Sequence, residues 1–347
     1  MKIAICTSPL SSASQTRGVG AYTRELLSAL RSRYPNDEFL DIPGYPYRVQ
    51  SDLVHYPFFD PYFLTLPSSF SRPTVITIHD LIPLKYPTHF PVGLRGRFKW
   101  YLQSHRARAA QAILTDSASS AADIHKLLRI PSDRVHVIPL ASATARTTYT
   151  LNSKLSKQYS LPEQFILYVG DLNWNKNVPG LINAFARLKR NNIHLVLVGK
   201  VFSDRPHIPE FKGVESAIEQ SGKSQLINLV GYVPRHHLGA IYHQATLYCQ
   251  PSWDEGFGLP LLEAMKAGCP VLSSTAGSLP EVGGKAVAYF NPREPDSLVS
   301  ELKYLLNNPD RRQELSLLGI ARAKEFSWAK TAELTWAVYN QVLANLG

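Results

Sequence analysis

Short apolar segments that alternate with helical patterns constrain the fold of this chain more than any other feature. Such segments are typical of parallel β-strands that crossover helices cover on both faces. In the first half, the pattern predicts strands at 2–7, 38–42, 53–56, 74–79, 112–116 and 135–140. In the second half, it predicts strands at 165–169, 194–198, 227–230, 246–250 and 270–274. The predicted fold class is therefore α/β, with two Rossmann-like domains.

The domain boundary is predicted in a segment rich in Ser, Thr and Ala, from Ser142 to about residue 160, which lacks apolar periodicity. A chain of 347 residues is long enough for two hydrophobic cores. We therefore expect one domain at 1–150 and a second at 151–327. Helices are predicted between the strands, at 21–33, 179–189, 213–220, 236–245 and 260–267, and the pattern is helical after Ser297.

Composition indicates a soluble globular protein, with 44% hydrophobic and 18% charged residues. No apolar run reaches the roughly 18 residues that cross a bilayer. The N-terminus turns polar at Thr7, too early for a secretory signal, so a cytoplasmic location is expected. Cys6, Cys249 and Cys269 are scattered in apolar segments, which predicts buried thiols instead of disulfides or a zinc site.

The net charge of +10 lies mostly in the first half, where residues 1–150 hold 17 basic and 10 acidic residues. No acidic residue occurs between Asp80 and Asp116, and the basic residues there follow a helical pattern. This pattern places Leu94, Phe98, Leu102, His105 and Ala109 on one stripe, with Arg95, Lys99 and Arg106 beside it. Residues 95–108 form either a solvated helix face or an attachment site for the anionic inner face of a membrane. Nucleic-acid binding is not expected, because no recognition module is present.

Residues 254–263 are the most specific segment, and they read Asp-Glu-Gly-Phe-Gly-Leu-Pro-Leu-Leu-Glu. Gly256 and Gly258 allow backbone N–H groups to approach a ligand, and Pro260 is typical of a helix start. A helix N-terminus favours anions, whereas the carboxylates of Glu255 and Glu263 accept hydrogen bonds from sugar or ribose hydroxyls. The segment therefore indicates a nucleotide-sugar site. The alternative is a structural glycine turn with a glutamate that stabilises the helix dipole.

Chemically informative residues also follow four of the predicted strands. His79 and Asp80 follow the strand at 74–79, and Asn175 and Lys176 come soon after the strand at 165–169. The other two sets are Gly231-Tyr232-Val233-Pro234 and Pro251-Ser252. Ligands of open α/β sheets bind beyond the carboxyl ends of the strands, so we expect these residues to converge on one cleft.

The ordered set of motifs resembles retaining glycosyltransferase family 4, which has the GT-B fold, and specifically its mannosyltransferase-like branch. The matching segments cover nearly the full length, and they are 18–20 with 22–26, 79–83, 168–170, 176–177, 231–234, 255–260 with Glu263, and 277–281. The resemblance implies transfer of a sugar from a nucleoside diphosphate sugar to an acceptor with retention of anomeric configuration. It implies no cofactor and no obligatory metal. It also implies that a last helix, at 328–347, returns to the first domain.

On this resemblance, Lys176 is expected to bind the diphosphate, helped by a loop at Gly18 to Gly20 and by the N–H groups of residues 256–259. Those N–H groups belong to Gly256, Phe257, Gly258 and Leu259. Glu255 is expected to bind the transferred sugar and Glu263 the ribose, and the backbone of Tyr232 and Val233 the base. His79 is expected beside the reacting centre and Asp80 on the acceptor side. No protein nucleophile is evident, so the resemblance implies a front-face mechanism.

Three positions depart from the family pattern. Asn175 stands where a basic residue is common, and Asp171 stands where some members have Arg. The residues 140–142 read Leu-Ala-Ser, where Gly-Val-Asp is usual. Asn175 and Asp171 keep open the alternative of a non-catalytic nucleotide-sugar-binding partner subunit. Among enzymes, the alternative is a GT-B epimerase or phosphorylase, although Glu255 and Glu263 favour transfer. GDP-mannose is the first choice of donor and a UDP-hexose the second, and the acceptor is expected to be a glycan or a lipid-linked saccharide.

Overall fold

The computed structural model describes residues 1–11, 18–44, 50–142 and 153–345. The chain divides into two compact units. Unit 1 comprises Met1–Ala143 and Phe326–Gly347, and unit 2 comprises Thr144–Glu325. Each unit contains a parallel sheet with helices, so the predicted α/β class with two Rossmann-like units is confirmed.

Unit 1 contains, in its described residues, a six-stranded sheet in the order β2-β1-β3-β4-β5-β6, in which all pairs are parallel. The strands are β1 Lys2–Cys6, β2 Glu38–Ile42, β3 Leu53–Tyr56, β4 Thr74–Thr77, β5 Ala112–Thr115 and β6 Val135–Val137. The helices are α1 Ser8–Ser11, α2 Gly18–Arg33, α3 Ile82–Lys85, α4 Leu94–Ala109 and α5 Ala118–Asp123, which a π-helical turn at Ile124–Leu128 continues. The C-terminal helix, Trp328–Ala344, packs against α2 in the same unit.

Unit 2 contains, again in its described residues, a parallel six-stranded sheet in the order β12-β11-β10-β7-β8-β9. The strands are β7 Phe165–Val169, β8 His194–Val198, β9 Ile227–Val230, β10 Leu247–Gln250, β11 Val271–Ser274 and β12 Ala288–Phe290. The helices are α6 Ser153–Gln158, α7 Val178–Ala186, α8 Lys200–Asp204, α9 Pro209–Gln220, α10 Arg235–Gln244, α11 Leu259–Lys266, α12 Leu279–Gly283, α13 Pro295–Asn307 and α14 Pro309–Ala323.

The order of the strands in unit 2 places a topological switch point between β7 and β10. The chain runs from β7 outward through β8 to β9, and then continues with β10 on the other side of β7. In open α/β sheets, the connections that leave the two carboxyl ends at such a point separate and leave a crevice. The segments that follow β7 and β10 are therefore neighbours, although they lie about 80 residues apart in sequence.

Every predicted strand is present, and in several of them residues buried on both faces form a continuous run. The four residues of β4 and the five of β7 are all buried. The short strand β12 was not predicted. The expected linker contains helix α6, and residues 143–152 of it lie outside the described part of the chain. All three cysteines are free and buried, as predicted.

The expected phosphate loop at Gly18 to Gly20 is wrong as a description of the backbone, because these residues form the first turn of α2. Gly18 is exposed, whereas Gly20 is buried. Glycine is conformationally permissive and is often found in loops, but tertiary packing overrides that preference here. The buried face of α2 starts at Gly20 and continues through Ala21 and Tyr22.

A buried hydrogen-bond network joins four elements of unit 1 around His55 on β3. The two ring nitrogens of His55 lie 2.8 Å from Thr77 Oγ1 and 2.6 Å from the Tyr339 hydroxyl. The hydroxyl of Tyr22 lies 3.0 Å from the same Thr77 oxygen. Burial, with a smaller contribution from the charge of His79, lowers the pKa of His55 to about 3. His55 is therefore neutral in the folded protein at physiological pH.

We predict that His55→Gln removes part of the acid sensitivity of unit 1. Below pH of about 6, the unfolded chain protonates this histidine and the folded protein does not, so the free energy of unfolding falls by about 1.4 kcal/mol per pH unit. At pH 7.5, we expect the variant to have a lower free energy of unfolding than the parent. This gap between the two free energies narrows as the pH falls from 6 to 5. Chemical denaturation at several pH values measures this gap. The control His105→Gln alters an exposed histidine and keeps the parental slope, whereas a constant gap for His55→Gln contradicts the prediction.

Candidate functional site

The centre of the candidate site in unit 2 is an ion pair between Lys176 and Glu255. Lys176 ends the 3₁₀ turn that follows β7, and Glu255 lies in the connection after β10. The Lys176 Nζ atom lies 2.8 Å from both Oε1 and Oε2 of Glu255. The side chains are 20% and 7% exposed, respectively. The switch point of the sheet therefore brings together the two residues that the sequence predicts to bind phosphate and sugar.

Two neutral side chains hold the Glu255 carboxylate in addition to Lys176. Glu255 Oε1 accepts hydrogen bonds from Gln250 Nε2 at 2.7 Å and from Ser252 Oγ at 2.8 Å. Gln250 is the last residue of β10, so a rigid strand fixes one donor. Hydrogen bonds to a carboxylate are stronger than those between neutral groups. Three donors thus hold the Glu255 carboxylate in one position.

Asn175 connects the two loops of this site. Its side-chain amide donates to the Asp254 backbone carbonyl at 2.9 Å, and its backbone carbonyl accepts from the Trp253 N–H at 2.7 Å. The rings of Trp174 and Trp253 also stack, with centroids 6.4 Å apart. Asn175 is only 4% exposed, so its side chain is engaged in joining the loops. The hydrogen bond from its amide to Asp254 gives Asn175 a structural role at the position where a basic residue is common in the family.

The loop at 170–172 is fixed by its own short-range contacts. The buried Tyr168 hydroxyl donates to the Asp171 carbonyl at 2.8 Å, and the Asp171 carboxylate accepts from the Leu172 N–H at 2.9 Å. Burial, followed by the charges of Glu255 and Asp171, raises the pKa of Tyr168 well above its usual value. The tyrosine therefore stays protonated as a donor. These contacts give Asp171 a local structural role.

The glycine turn after Glu255 packs against a second glycine turn, at Gly277. The Ser278 N–H and hydroxyl donate to the Glu255 carbonyl at 3.1 and 3.0 Å. Gly258 has a φ of 95° and precedes α11, the helix that begins at Leu259. Gly277 has a φ of 57°, and a Cβ atom there would lie 2.4 Å from both the Asp254 carboxylate and the Glu255 carbonyl oxygen. Only glycine fits at this position.

We predict that Gly277→Ala destabilises unit 2 and weakens ligand binding, because the new methyl group displaces the backbone of Glu255. The matched control is Gly222→Ala, since Gly222 has a similar φ of 63° but no atom within 4 Å of the place that a methyl group would take. Both variants carry the left-handed strain of about 1 kcal/mol, and Gly277→Ala adds about 1–3 kcal/mol of overpacking. Thermal unfolding measures the difference. Equal destabilisation of the two variants contradicts the close packing at Gly277.

The remaining predicted donor-site residues of unit 2 lie on neighbouring elements. Glu263 is in the second turn of α11, and the Tyr242 hydroxyl donates to its Oε2 at 3.3 Å. Tyr232 follows β9 and is 60% exposed, whereas Val233 is buried. Gly256, Phe257 and Gly258 are buried, and Leu259 is half-buried. The structure thus joins Lys176 directly to Glu255, and it joins Asn175 to the preceding residues Trp253 and Asp254. It places Glu263 and Tyr232 on separate elements.

In unit 1, His79 pairs with an aspartate that the sequence did not indicate. His79 Nδ1 lies 2.8 Å from Oδ2 of Asp116, which follows the adjacent strand β5. The side chains are 17% and 5% exposed. The Tyr22 ring meets the imidazole edge-on, with centroids 4.7 Å apart. The available sequence signal was the position of Asp116 at the end of a predicted strand next to that of His79.

The charge of Asp116 controls the protonation of His79. Burial lowers the pKa of His79, but the charge and hydrogen bond of Asp116, the charge of Asp80 and the Pro57 carbonyl raise it, and the net pKa is raised. The Nε2 atom is buried, and no described residue makes a hydrogen bond of normal geometry to it. Asp116 therefore favours the charged form of His79 and holds its ring in one orientation. The Asp80 carboxylate, expected on the acceptor side, accepts from the Ile82 N–H at 3.0 Å at the start of α3.

The described part of the chain contains neither a metal-binding cluster nor a membrane-crossing helix. No group of three or more His, Cys, Asp or Glu side chains in the described ranges is arranged to hold a metal ion. Across residues 1–11, 18–44, 50–142 and 153–345, no helix has both the length and the apolar content that a bilayer crossing needs.

Comparison with known proteins gives matches over most of the chain. Residues 153–319 match the family model described as glycosyl transferases group 1, and residues 42–146 match glycosyltransferase family 4. The O-antigen chain mannosyltransferase B of Escherichia coli is 30% identical over 285 residues, which are 79% of this chain and 71% of that protein. The serotype-specific mannosyltransferase WbdA of Escherichia coli is 31% identical over 296 residues, 82% of this chain but only 35% of that protein.

A solved structure shows the same fold at low sequence identity. The crystal structure of Anabaena HepE in complex with UDP-glucose has a TM-score of 0.73 and 16% identity, and the match covers 98% of this chain and 100% of that one. At this identity, the likeness concerns the fold alone.

Proposed function

The chain belongs to glycosyltransferase family 4, in its mannosyltransferase-like branch, and we propose that it transfers a hexose from a nucleoside diphosphate sugar to a glycan or lipid-linked acceptor with retention of configuration. Mannose is the first choice of sugar. The observation that carries the proposal is the Lys176–Glu255 ion pair at the switch point of a GT-B-type unit. This pair offers one cation and one anion at a place where ligands of such sheets bind.

A bound sugar nucleotide can give both Lys176 and Glu255 a new partner at the same time. Its diphosphate takes the place of Glu255 beside Lys176, and its sugar hydroxyls donate to the Glu255 carboxylate. Gln250 and Ser252 keep Glu255 in position during the exchange. A nucleoside diphosphate without a sugar would leave Glu255 buried and without its cation. The ion pair therefore favours the intact sugar nucleotide over the free diphosphate.

Glycosyl transfer separates charge, and the proposed residue roles follow from that requirement. Breaking the anomeric bond adds negative charge to the departing diphosphate and leaves oxocarbenium character on the sugar. Lys176 stabilises the negative charge of the departing diphosphate, and His79 orients the reacting sugar by a hydrogen bond to one of its oxygens. The departing phosphate takes the acceptor's proton in a front-face reaction, so no protein nucleophile is required. Because Lys176 supplies the positive charge, we propose that transfer needs no metal and survives EDTA.

The donor is tested by thermal unfolding in the presence of GDP, UDP, GDP-mannose and UDP-glucose. A ligand at 100 times its Kd stabilises the fold by about 2.7 kcal/mol. We expect GDP-mannose to stabilise more than the UDP sugars, in line with the names of the two Escherichia coli relatives. The order reverses if the donor is a UDP-hexose, the ligand of the Anabaena structure.

A second candidate function is a nucleotide-sugar-binding partner subunit that does not catalyse transfer. Two observations favour it: the charges of Lys176 and Glu255 neutralise each other, and the side chain of Asn175 is hydrogen-bonded to Asp254. Incubation with a radiolabelled sugar nucleotide and a panel of saccharide and lipid-linked acceptors separates the two. Labelled product supports transfer. Donor binding without product or hydrolysis supports the partner subunit, and phosphate-dependent release or an epimerised sugar identifies a phosphorylase or an epimerase.

We also propose that the protein acts in the cytoplasm on the inner face of a membrane, where a lipid-linked acceptor is available. The support is the set of basic residues within 95–108, in a segment without acidic residues between Asp80 and Asp116. Each basic residue near an anionic surface contributes about 1 kcal/mol. Equal binding to neutral and anionic vesicles at low salt would contradict this location.

A further inference from the structure

Helix α4 turns a stripe of large apolar side chains to the solvent. Leu94 is 83% exposed, Phe98 is 63% exposed and Tyr101 is 68% exposed. The spacing of four and three residues places these side chains on one helix face. The opposite face, which packs on the unit, carries Gln103, Ser104 and Ala107 as its buried residues. This helix therefore reverses the usual arrangement of a surface helix, whose apolar stripe faces the core.

Phe63 extends this exposed face beyond the helix. It is 66% exposed, and the Lys99 ammonium lies over its ring at 5.3 Å. The loop that carries Phe63 is fastened to α4, because Gln103 Nε2 donates to the Asp60 carbonyl at 3.2 Å and to Thr65 Oγ1 at 2.7 Å. A helix and a loop, held together by hydrogen bonds, thus form the exposed apolar surface.

Basic residues border the apolar stripe on both sides. At 100° per residue, Arg97 and Arg108 fall on one side of the Leu94–Phe98–Tyr101 stripe, and Arg95, Lys99 and Arg106 fall on the other. No acidic residue occurs in α4, and the neighbouring Asp60 carboxylate accepts from the N–H groups of Tyr62 and Phe63. An apolar stripe with flanking Lys and Arg is the pattern of a helix that lies in a membrane interface.

We propose that α4 and Phe63 form an insertion face for an anionic lipid bilayer. Leu94, Phe98, Tyr101 and Phe63 enter the boundary between the headgroups and the acyl chains, and the exposed Arg95 and Arg97 contact lipid phosphates. A second copy of the chain fits this face poorly, because it would bring the same positive charge into contact. The inference deepens the membrane location proposed above by assigning its apolar contact. It is independent of sugar transfer, so vesicle binding without transferase activity leaves it intact.

The three native cysteines permit a direct test. All are buried, and burial raises the pKa of the Cys249 and Cys269 thiols, so an environment-sensitive dye reacts selectively with an introduced surface cysteine. Leu94→Cys and Phe98→Cys place the dye on the insertion face. Leu317→Cys is the matched control, because Leu317 is a 60% exposed leucine on α14. With phosphatidylglycerol vesicles, we expect a blue shift and increased emission at positions 94 and 98 and no change at 317.

Vesicle co-sedimentation separates insertion from simple charge attraction. We expect Leu94→Ser/Phe98→Ser to bind anionic vesicles at least about tenfold more weakly than the parent, whereas Leu317→Ser binds as the parent does. Arg95→Gln/Arg97→Gln should weaken binding mainly at low salt. Three results would overturn the proposal: parental binding by the double serine variant, dye shifts that also occur with neutral phosphatidylcholine vesicles, and dye shifts that depend on protein concentration without lipid, which would indicate a second copy.

Discussion

Lys176→Met is expected to lower kcat/KM for sugar transfer by about 100- to 1000-fold, the usual effect of removing one group that stabilises a developing charge. The Lys176 ammonium is the cation at the switch point of unit 2. It lies 2.8 Å from both carboxylate oxygens of Glu255, the residue expected to bind the sugar. The thioether of methionine keeps most of the side-chain volume and removes only the charge. Steady-state kinetics with the donor found by thermal unfolding measure the loss.

The same substitution is expected to destabilise unit 2 by about 3 kcal/mol, because it leaves a buried carboxylate without its cation. Glu255 is 7% exposed, so solvent compensates little of the lost interaction. The double variant Lys176→Met/Glu255→Gln removes both charges, and we expect it to recover most of the stability but none of the activity. This cycle separates a folding defect from a catalytic one.

The control for both measurements is Lys200→Met. Lys200 is 72% exposed and lies 3.9 Å from Asp204 in a surface pair of the same unit. A surface pair contributes about 0–1 kcal/mol, so stability and kinetics should stay close to those of the parent. A Lys176→Met enzyme with near-parental kcat/KM would remove Lys176 from the proposed mechanism. A double variant as unstable as the single one would contradict the stabilising role of the ion pair.

The sequence predicted those parts of the site in unit 2 that depend on local sequence patterns. Apolar runs identified β7 and β10, and the rule that ligands bind beyond the strand ends selected the segments of Lys176 and Glu255. The ion pair itself depends on β10 lying directly beside β7. Sheet order is a long-range property, so periodicity alone does not determine it. The structural engagement of Asn175 follows from the same neighbouring loops, and for the same reason it was not predicted.

Helix α4 shows a different limit of sequence patterns. Periodicity correctly grouped Leu94 with Phe98, but it does not reveal which way a face points. The contacts of Gln103 and Arg106 with the backbone of the loop at 60–66 fix the orientation, and they turn the apolar stripe outward. Asp116 was missed in a similar way, because its relation to His79 arises from the pairing of β4 with β5. Contacts between residues that are distant in sequence determine these features, and the pattern of residues along the chain does not reveal such contacts.

Asp116→Asn is expected to reduce transfer by about 100-fold at pH 7.5, if the charged imidazole of His79 acts at the reacting sugar. The substitution removes the negative charge that raises the pKa of His79, while burial continues to lower it. The parent should therefore lose activity as the pH rises through the raised pKa of His79. In Asp116→Asn, the same loss should occur at lower pH. Kinetics across the pH range and NMR titration of the His79 ring protons measure the two effects separately.

The control for this experiment is Asp123→Asn, which removes another carboxylate from unit 1. Asp123 pairs with Lys85 at 3.1 Å and is 18% exposed, so its loss should leave the pH profile unchanged. A structural role for Asp116 predicts reduced stability with a parental pH profile, whereas a positioning role predicts the shifted profile. Superimposable profiles for Asp116→Asn and the parent would therefore contradict control of His79 by Asp116.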